Sequence, residues 1–442
     1  MMLASAKNVL RDHAFARVAE WIRLAMITTA GQAIVQGAGF ISGIIIIRLL
    51  STEEYALYTL ANTFLGTMTM LADSGISSGV LAEGGKVWQN KQKLGVVLAT
   101  GLRLRHRFGL LTLAFMIPVM VYFLSVHGAG TWTIVLIAAA IIPAFFAALS
   151  DSILEMPPRL HQDIRPLQRN QVEVSVGRLL LSALFLSAFP FTFLALLASS
   201  LPRIYGNYRL RRISAPFAAA GALPDRQVKK EVVKGVSRTL PIVIYHCISG
   251  QIAIWLVSIL GTTANISELG ALGRIAILFN LVTVLFSTLV IPRFSRMEGG
   301  RGALLRSYIL VQCAMLLVSL ALMLGVWLFT DQILWILGSN YAGLSTELLL
   351  MGLLSCAGLL SGVCSQLVIS RGWFIRPYYL IGINFTSTVL SLTIFRISTL
   401  NDILHFNIIL TVMSYFLVLG YGLLSISRTP ETPTVPKTDP AP

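Results

Sequence analysis

Residues 103–126 read RLRHRFGLLTLAFMIPVMVYFLSV: three arginines, then an uncharged and mostly apolar run over 108–126. A helix needs about 20 such residues to cross the hydrocarbon core of a bilayer, so this run is long enough. The next residues, 127–130, are HGAG and contain no lysine or arginine. Because lysine and arginine gather on the cytoplasmic side of membrane helices, this stretch predicts a transmembrane helix that runs outward from the cytoplasm.

The composition of the whole chain extends this prediction. Of 442 residues, 55% are hydrophobic and only 12% are charged, whereas a soluble domain carries about 25% charged residues. Lipid must therefore cover much of the surface, and backbone polar groups in lipid must be hydrogen-bonded within helices or closed barrels. A barrel is disfavoured because the apolar runs are about 20 residues long, not alternating segments of about 10. The predicted fold class is an all-α, polytopic membrane protein.

Apolar runs of spanning length recur along the chain. They lie at about 26–48, 55–80, 108–126, 132–155, 170–189, 190–208, 240–260, 267–292, 306–329, 346–369, 375–395 and 403–426. The third run could continue as a cytoplasmic helix over 94–107, and a tight turn around Pro190 joins the fifth and sixth. About 12 transmembrane helices in two pseudo-symmetric six-helix bundles are therefore predicted.

The 34 lysines and arginines set the orientation. With the N-terminus inside, most of them fall in cytoplasmic segments, while outer loops such as STEEY (51–55) and VHGAG (126–130) have none. Both termini are therefore predicted to be cytoplasmic. The formal net charge of +15 is explained by this topology and by anionic headgroups, so membrane lipids are expected partners and nucleic acid is not.

The spans and the charges between them divide the chain into five segments. These are a cytoplasmic amphipathic N-terminus over 1–25, an N-terminal six-helix bundle over 26–212, a basic cytoplasmic linker over 213–238, a C-terminal six-helix bundle over 239–428, and a disordered cytoplasmic tail over 429–442. Two halves of equal topology form a parallel repeat, an arrangement in which substrate binds between the halves.

Motifs for catalysis or for ATP binding do not occur at the required spacing. Residues 79–86 approach a phosphate-binding loop, but the spacing is wrong and Val87 stands where Ser or Thr is needed. Residues 75–79 match G-x-S-x-G, yet they end a membrane helix instead of forming a strand–turn–helix. The six histidines and four cysteines make no H-E-x-x-H or C-x-x-C pair. A transporter without a cofactor is expected, and not an enzyme.

Charged side chains inside the predicted spans are candidates for function, because such groups are costly in lipid and usually face a cavity or a partner. Arg274 and Arg48 are candidate substrate-binding residues. For Arg274 the alternative is snorkelling to the outer interface or a pair with Glu268. For Arg48 the alternative is an anchor at the outer interface.

A second charged group lies towards the inner ends of the helices. Arg178 is a further candidate for substrate binding, with pairing to Asp73, Asp151 or Glu155 as the favoured alternative. These three carboxylates are candidates for gating or ion coupling. The sequence leaves open whether Asp73 is a latch of the inner gate or a protonatable coupling site.

Uncharged polar residues at middle depth add candidate substrate contacts. Gln36 shares a helix face with Gln32 by its i, i+4 spacing, and Asn62, Gln251 and Asn280 lie inside other spans. Each alone is more often a contact between helices. Their occurrence across both halves favours a polar lumen.

Several motifs at the ends of helices resemble one family. They are RLLSTEEYALY (48–58), LADSGISS (71–78), ELGALGR (268–274), IPRFSR (291–296) and ILGSNYA (336–342). In this order they resemble bacterial polysaccharide-biosynthesis flippases of the multidrug/oligosaccharidyl-lipid/polysaccharide exporter superfamily. The chain departs from the family pattern at Thr52 and Ala56, where Pro and Gly are usual, and around Gly273, which leaves the substrate open.

The resemblance implies a flippase for lipid-linked oligosaccharides, usually on undecaprenyl diphosphate, in the bacterial inner membrane. It also implies alternating access between the halves, driven by an ion gradient or the membrane potential, and polysaccharide polymerase machinery as a possible partner. Arginine suits phosphate geometry better than lysine, and no lysine lies in a predicted span. The alternative is a cation-coupled multidrug exporter of the same superfamily, which would favour carboxylates without basic neighbours.

Overall fold

The computed structural model describes residues 30–428, except 220, 250, 296, 298–299, 372 and 374–398, within which 382 and 386 are described. Every regular element in these residues is an α-helix or a short 3-10 turn. The predicted all-α, polytopic fold class is confirmed. The predicted N-terminal segment over 1–25, nearly all of the span over 375–395 and the tail over 429–442 lie outside the described residues.

Eight described helices are long and apolar enough to cross a membrane. They are Ala30–Leu49, Lys91–Val126, Thr131–Leu160, Ile164–Ala188, Thr263–Ser287, Arg301–Leu328, Ser345–Ser370 and Leu400–Ser427. Each overlaps one of the predicted runs. The chain is therefore a multi-pass membrane protein.

The chain divides into two compact units, Met1–Ser258 with Thr262–Gly270, and Ile259–Gly261 with Ala271–Pro442. The described helices that lie wholly or mostly in the first unit are α1 (Ala30–Leu49), α2 (Thr52–Asp73), α3 (Ile76–Val87), α4 (Lys91–Val126), α5 (Thr131–Leu154), α6 (Met156–Leu160), α7 (Ile164–Ala188), α8 (Thr192–Ser214), α9 (Arg226–Ser249), α10 (Ile252–Leu260) and α11 (Thr263–Leu272). Within this unit α8 packs on α5 and α7, and α4 packs on α2, α3 and α5.

The predicted run over 55–80 is present mainly as α2, but the helix breaks near the end of the run, where the sequence also indicates the end of a membrane helix. Helix α2 ends at Asp73, and both Ser74 (φ 41°) and Gly75 (φ 85°) take the left-handed conformation that ends helices. The Asp73 carboxylate accepts hydrogen bonds from the Ser77 backbone N–H (3.1 Å) and the Ser77 hydroxyl (2.7 Å) in the first turn of α3. The predicted run over 240–260 is also interrupted, at Gln251 between α9 and α10.

Helix α4 confirms that the third span continues as a helix over 94–107, while the cytoplasmic location of this extension stays a prediction. It has 36 residues, about 54 Å at 1.5 Å per residue, which exceeds the ~30 Å hydrocarbon core. Its first turns pack into a buried apolar cluster with α3, α5 and α9 that includes Val80, Leu94, Ile153 and Val232. This cluster fixes α4 against its neighbours outside the predicted span.

The predicted tight turn around Pro190 is present between α7 and α8. The first residue of α8, Thr192, is buried. Its backbone N–H donates to the Glu54 carboxylate and its hydroxyl donates to the Glu54 carbonyl, both at 2.7 Å. Helix α8 is thereby joined to the start of α2.

The second unit contains α12 (Ala276–Leu289), α13 (Ile291–Ser295), α14 (Arg301–Leu328), α15 (Thr330–Leu337), α16 (Ser345–Ser370) and α17 (Leu400–Ser427). Helix α16 packs on α12, α14 and α17. At its core Tyr308 is fully buried, with its hydroxyl 3.1 Å from the Cys364 sulfur. The two predicted six-helix bundles keep their limits as predictions, because the compact units are defined by contacts and not by membrane crossings.

Candidate functional site

An open cleft of about 730 Å³ lies in the first unit between α2, α3, α4, α5 and α8. Its lining includes three carboxylates, two arginines and four uncharged polar groups, together with apolar residues. The polar lining residues are Asn62, Thr69, Asp73, Ser77, Arg105, Asp151, Ser152, Glu155 and Arg203. The cleft therefore combines both signs of charge within one cavity.

The Arg105 guanidinium connects three helices at the floor of this cleft. It donates hydrogen bonds to the Asp73 carboxylate, the Leu149 carbonyl and the Ser152 hydroxyl. Only 3% of the Arg105 side chain is exposed, against 31% of Asp73. Its Nε atom has no hydrogen-bond partner among the described residues. Arg105 is thus a buried cation whose charge is balanced chiefly by Asp73.

The same network ties α3 to α5. The Ser77 and Ser152 hydroxyl oxygens lie 3.0 Å apart, and Ser77 also donates to Asp73. Since Asp73 ends α2 and Ser77 opens α3, the helix break places these groups beside Arg105. The break is therefore part of how the fold builds the site.

A second ion pair in the cleft joins Asp151 on α5 to Arg203 on α8. The Arg203 Nε atom lies 3.2 Å from one Asp151 carboxylate oxygen, and the Asn207 amide donates to the other at 2.7 Å. Asn207 is buried and also donates to the Ala147 carbonyl at 3.0 Å. The Arg203 side chain is 40% exposed, so part of its guanidinium remains open to the cleft.

Glu155 completes the charged lining. Arg159, one turn further along the chain, donates to one of its oxygens, and the Gln171 amide donates to the other at 3.2 Å. Gln32 on α1 in turn donates to Gln171 at 3.0 Å. Each of the three cleft carboxylates is therefore paired with an arginine.

The cleft brings four of the predicted site residues together: Asn62, Asp73, Asp151 and Glu155. Asn62 is half-buried, and its amide donates to the Tyr58 carbonyl one turn earlier at 3.1 Å. The three carboxylates predicted for gating or coupling thus line one cleft in this unit. Whether these groups serve in gating or coupling stays a prediction.

Three other predicted residues of the first half do not line this cleft. Arg178 lies on α7 and its guanidinium approaches α1, where a Cβ added to Gly39 would lie 2.8 Å from it. The arginines that pair with Asp73, Asp151 and Glu155 are therefore different ones from the one proposed. Gln36 is half-buried on α1, and Arg48 is exposed near the end of the same helix.

The remaining predicted residues also lie outside the lining of the cleft. Gln251 is half-buried in the turn before α10, and its backbone carbonyl accepts from the Trp255 N–H at 3.0 Å. In the second unit, Arg274 is half-buried in the 3-10 turn Gly273–Ile275, and Asn280 is exposed on α12. Their roles stay predictions.

Arg105 and Arg203 are site residues that the sequence reasoning did not predict. Arg105 was assigned to a cytoplasmic segment, but Gly101 and Gly109 lie one turn to either side of it on the same helix face. Both glycines are buried, and this small-residue face was the available signal that Arg105 points inward. Arg203 lies inside the predicted span over 190–208, where any charged residue is a candidate for function.

No family model matches the sequence, and no curated protein matches it. Solved structures do match. An inward-facing multidrug resistance MATE family transporter of the MOP superfamily is similar with a TM-score of 0.70 and 14% identity, over 88% of this chain and 94% of that one. An outward-facing transporter of the same family gives 0.64 and 16%, over 92% and 95%. A MOP superfamily transporter from Pyrococcus furiosus gives 0.58 and 15%, over 92% and 95%.

These similarities establish the fold, which is that of MATE transporters of the MOP superfamily. This is the superfamily that the sequence motifs resemble. At this level of identity the comparison defines the architecture and leaves the substrate to the chemistry of the site.

Proposed function

We propose that this protein moves a polyprenyl-diphosphate-linked oligosaccharide from the cytoplasmic to the periplasmic leaflet of the bacterial inner membrane, for surface polysaccharide biosynthesis. Transport would proceed by alternating access, which the inward- and outward-facing structures of proteins with this fold support. The sugar–diphosphate head would cross through a polar cavity while the lipid tail stays in the bilayer. The polymerase machinery that uses the delivered glycan is a candidate partner.

The observation that carries the proposal is the pairing of every cleft carboxylate with an arginine. A cavity built to bind an organic cation needs a carboxylate whose charge is not already balanced. Here a cation would have to displace an arginine from Asp73, Asp151 or Glu155. An anion, in contrast, can bind to a partly exposed arginine without removing its partner.

Arg203 is the cleft arginine best placed for a phosphate. Its guanidinium is planar and presents several donors, which suits bidentate contacts with phosphate oxygens. If the diphosphate takes some of these donors, Asp151 keeps its hydrogen bond from Asn207. The substrate and the carboxylate can therefore share the arginine, and the pair can re-form when the substrate leaves.

Arg105 is too buried to meet a ligand, and we assign it a positioning role. Its hydrogen bonds to Asp73 on α2 and to the Leu149 carbonyl on α5 join these two helices to α4 beside the cleft. Breaking the Asp73–Arg105 pair would leave a buried charge without a partner, which is costly. This pair is a candidate latch that opens only when another charge compensates Arg105 or Asp73.

The alternative is a cation-coupled multidrug exporter. The carboxylates of the cleft favour it, because protonation of one of them would free an arginine and couple transport to a proton gradient. The MATE structures with this fold are described as multidrug resistance transporters. For the Pyrococcus furiosus protein, however, a reverse polarity of the binding pocket is described as suggesting a different function, so the fold is compatible with binding pockets of different polarity.

Deletion of the gene in its native bacterium separates the two functions. We expect loss of the surface polysaccharide and accumulation of its lipid-linked repeat unit, measured by lipid extraction, with unchanged sensitivity to cationic dyes such as ethidium. A deletion strain with normal polysaccharide and several-fold greater sensitivity to ethidium would support the exporter instead.

A further inference from the structure

A second cavity in the first unit, of about 300 Å³, lies between the part of α4 that precedes the predicted span and the start of α9. Its lining contains four cations and one carboxylate. The lining residues are Thr100, Arg103, Leu104, Arg107, Pro224, Asp225, Arg226 and Lys229. None of them lines the cleft described above, so this basic cavity is a separate feature.

The two walls of the basic cavity are tied together by Asp225. Its backbone N–H donates to the buried Thr100 hydroxyl at 3.0 Å. Its carboxylate accepts from the Gln227 and Val228 backbone N–H groups at 2.8 and 2.9 Å. The single carboxylate therefore caps the first turn of α9.

The four cations of the basic cavity differ from Asp225 in their contacts. Among the described residues, none of Arg103, Arg107, Arg226 and Lys229 forms an ion pair with a carboxylate. All four are exposed. Cations converging from two helices raise the local positive potential, and an anion placed in the cavity would relieve their mutual repulsion.

The surface next to the cavity indicates which anion fits. Arg103, Arg107, Leu111 and Phe115 follow one another at i, i+4 spacing and so share one face of α4. Leu111 is 70% exposed and Phe115 is 71% exposed, while the predicted span begins at residue 108. This face changes from cationic to apolar where the headgroup region of a bilayer gives way to hydrocarbon.

We propose that the basic cavity binds the phosphate headgroup of an anionic phospholipid from the cytoplasmic leaflet, with the acyl chains lying along Leu111 and Phe115. A free phosphate ion would use the cations but not the apolar part of this face. A bound lipid would contact Arg103 and Arg107 on α4 and Arg226 and Lys229 on α9, and so join the two helices at the membrane surface. The site is distinct from the route proposed for the transported glycan.

The test uses the purified full-length protein in detergent, with lipid retention measured by native mass spectrometry. Phosphatidylglycerol is the anionic probe and phosphatidylcholine the neutral one. Replacing Arg103→Gln together with Arg107→Gln should weaken phosphatidylglycerol binding about thirty-fold, because each arginine near an anionic headgroup contributes a factor of roughly five. The matched control, Arg165→Gln with Arg301→Gln, removes two exposed arginines outside the cavity and should leave binding unchanged.

A second pair on the other wall, Arg226→Gln with Lys229→Gln, covers the case in which the first double variant does not fold. It should weaken phosphatidylglycerol binding by a similar factor. Equal retention of phosphatidylglycerol and phosphatidylcholine by the native protein would overturn the proposal. So would displacement of the lipid by millimolar inorganic phosphate, which would identify a site for a soluble anion.

Discussion

The two arginines of the cleft differ in how far they can reach a ligand. Arg105 is 3% exposed and holds Asp73, whereas Arg203 is 40% exposed and holds Asp151. Burial makes the first a fixed structural charge, since any movement would leave it unpaired in a poorly solvated place. The second can exchange between Asp151 and a substrate, so the binding chemistry is expected to depend on Arg203.

Replacing Arg203→Gln should weaken binding of a polyprenyl-diphosphate oligosaccharide by roughly ten- to hundred-fold, the usual loss for one hydrogen bond to a charged group. Binding can be measured by fluorescence with a labelled glycolipid and the purified protein. Arg212→Gln is the matched control, because Arg212 lies on the same helix, is exposed and stacks on Tyr208 outside the cleft. It should bind as the native protein does.

A double variant separates substrate contact from ion pairing. Arg203→Gln with Asp151→Asn removes both charges and leaves no unpaired carboxylate. If Arg203 binds the diphosphate, this double variant stays as weak as Arg203→Gln. Recovery of native affinity in the double variant would show that the arginine serves only to neutralise Asp151.

At the residue scale, the sequence predicts the carboxylates of the cleft but not their partners. Asp73, Asp151 and Glu155 stand out because charges within apolar spans are rare. Arg105 does not stand out, because it lies among other arginines in a segment that also reads as a cytoplasmic loop. Its inward direction depends on the helical phase of α4, which a count of positive charges does not contain.

At the scale of single elements, α4 carries both proposed sites on opposite faces. Arg105 points into the cleft network, while Arg103 and Arg107 line the basic cavity. The spacing of two residues turns the side chain through about 200° on a helix, so neighbouring arginines serve different faces. The rotation of α4 about its axis must therefore be fixed tightly.

Gly95 helps to fix that position. A Cβ added there would lie 2.6 Å from the Ala219 carbonyl oxygen, a backbone atom in the connection after α8. Gly95→Ala should lower stability by about 1–3 kcal/mol, as expected for overpacking, and can be checked by thermal unfolding in detergent. Gly85→Ala is the control, since it is exposed on α3 with nothing within 4 Å of the added atom. An unchanged melting temperature for Gly95→Ala would contradict this close packing.

The sequence predicts where apolar helices lie better than where they break. Length and hydropathy placed the third span correctly, since a transmembrane helix is set by bilayer thickness. The sequence indicates that a membrane helix ends near residues 75–79, but it does not show the sharp break at Ser74 and Gly75, after which α3 begins at once. Only the left-handed backbone at these two positions and the cap from Asp73 define it.

At the scale of the whole molecule, the fold and the substrate are separate questions. Composition and charge asymmetry predict a polytopic helical protein, and its architecture is that of MATE transporters of the MOP superfamily. Substrate identity depends on a few side chains whose pairing is set by packing between helices distant in sequence. The arginine partners in the cleft provide the physical argument for an anionic headgroup.

Reconstitution into proteoliposomes tests the central proposal most directly. A fluorescent polyprenyl-diphosphate oligosaccharide is placed in both leaflets, and the fraction that a membrane-impermeant quencher reaches is measured over time. The proposal predicts that nearly all of the glycolipid becomes reachable with the native protein, and only the outer half in protein-free vesicles. The proposed function would be contradicted by a protein that leaves the inner half of the glycolipid protected yet transports ethidium when a proton gradient is imposed across the vesicle membrane.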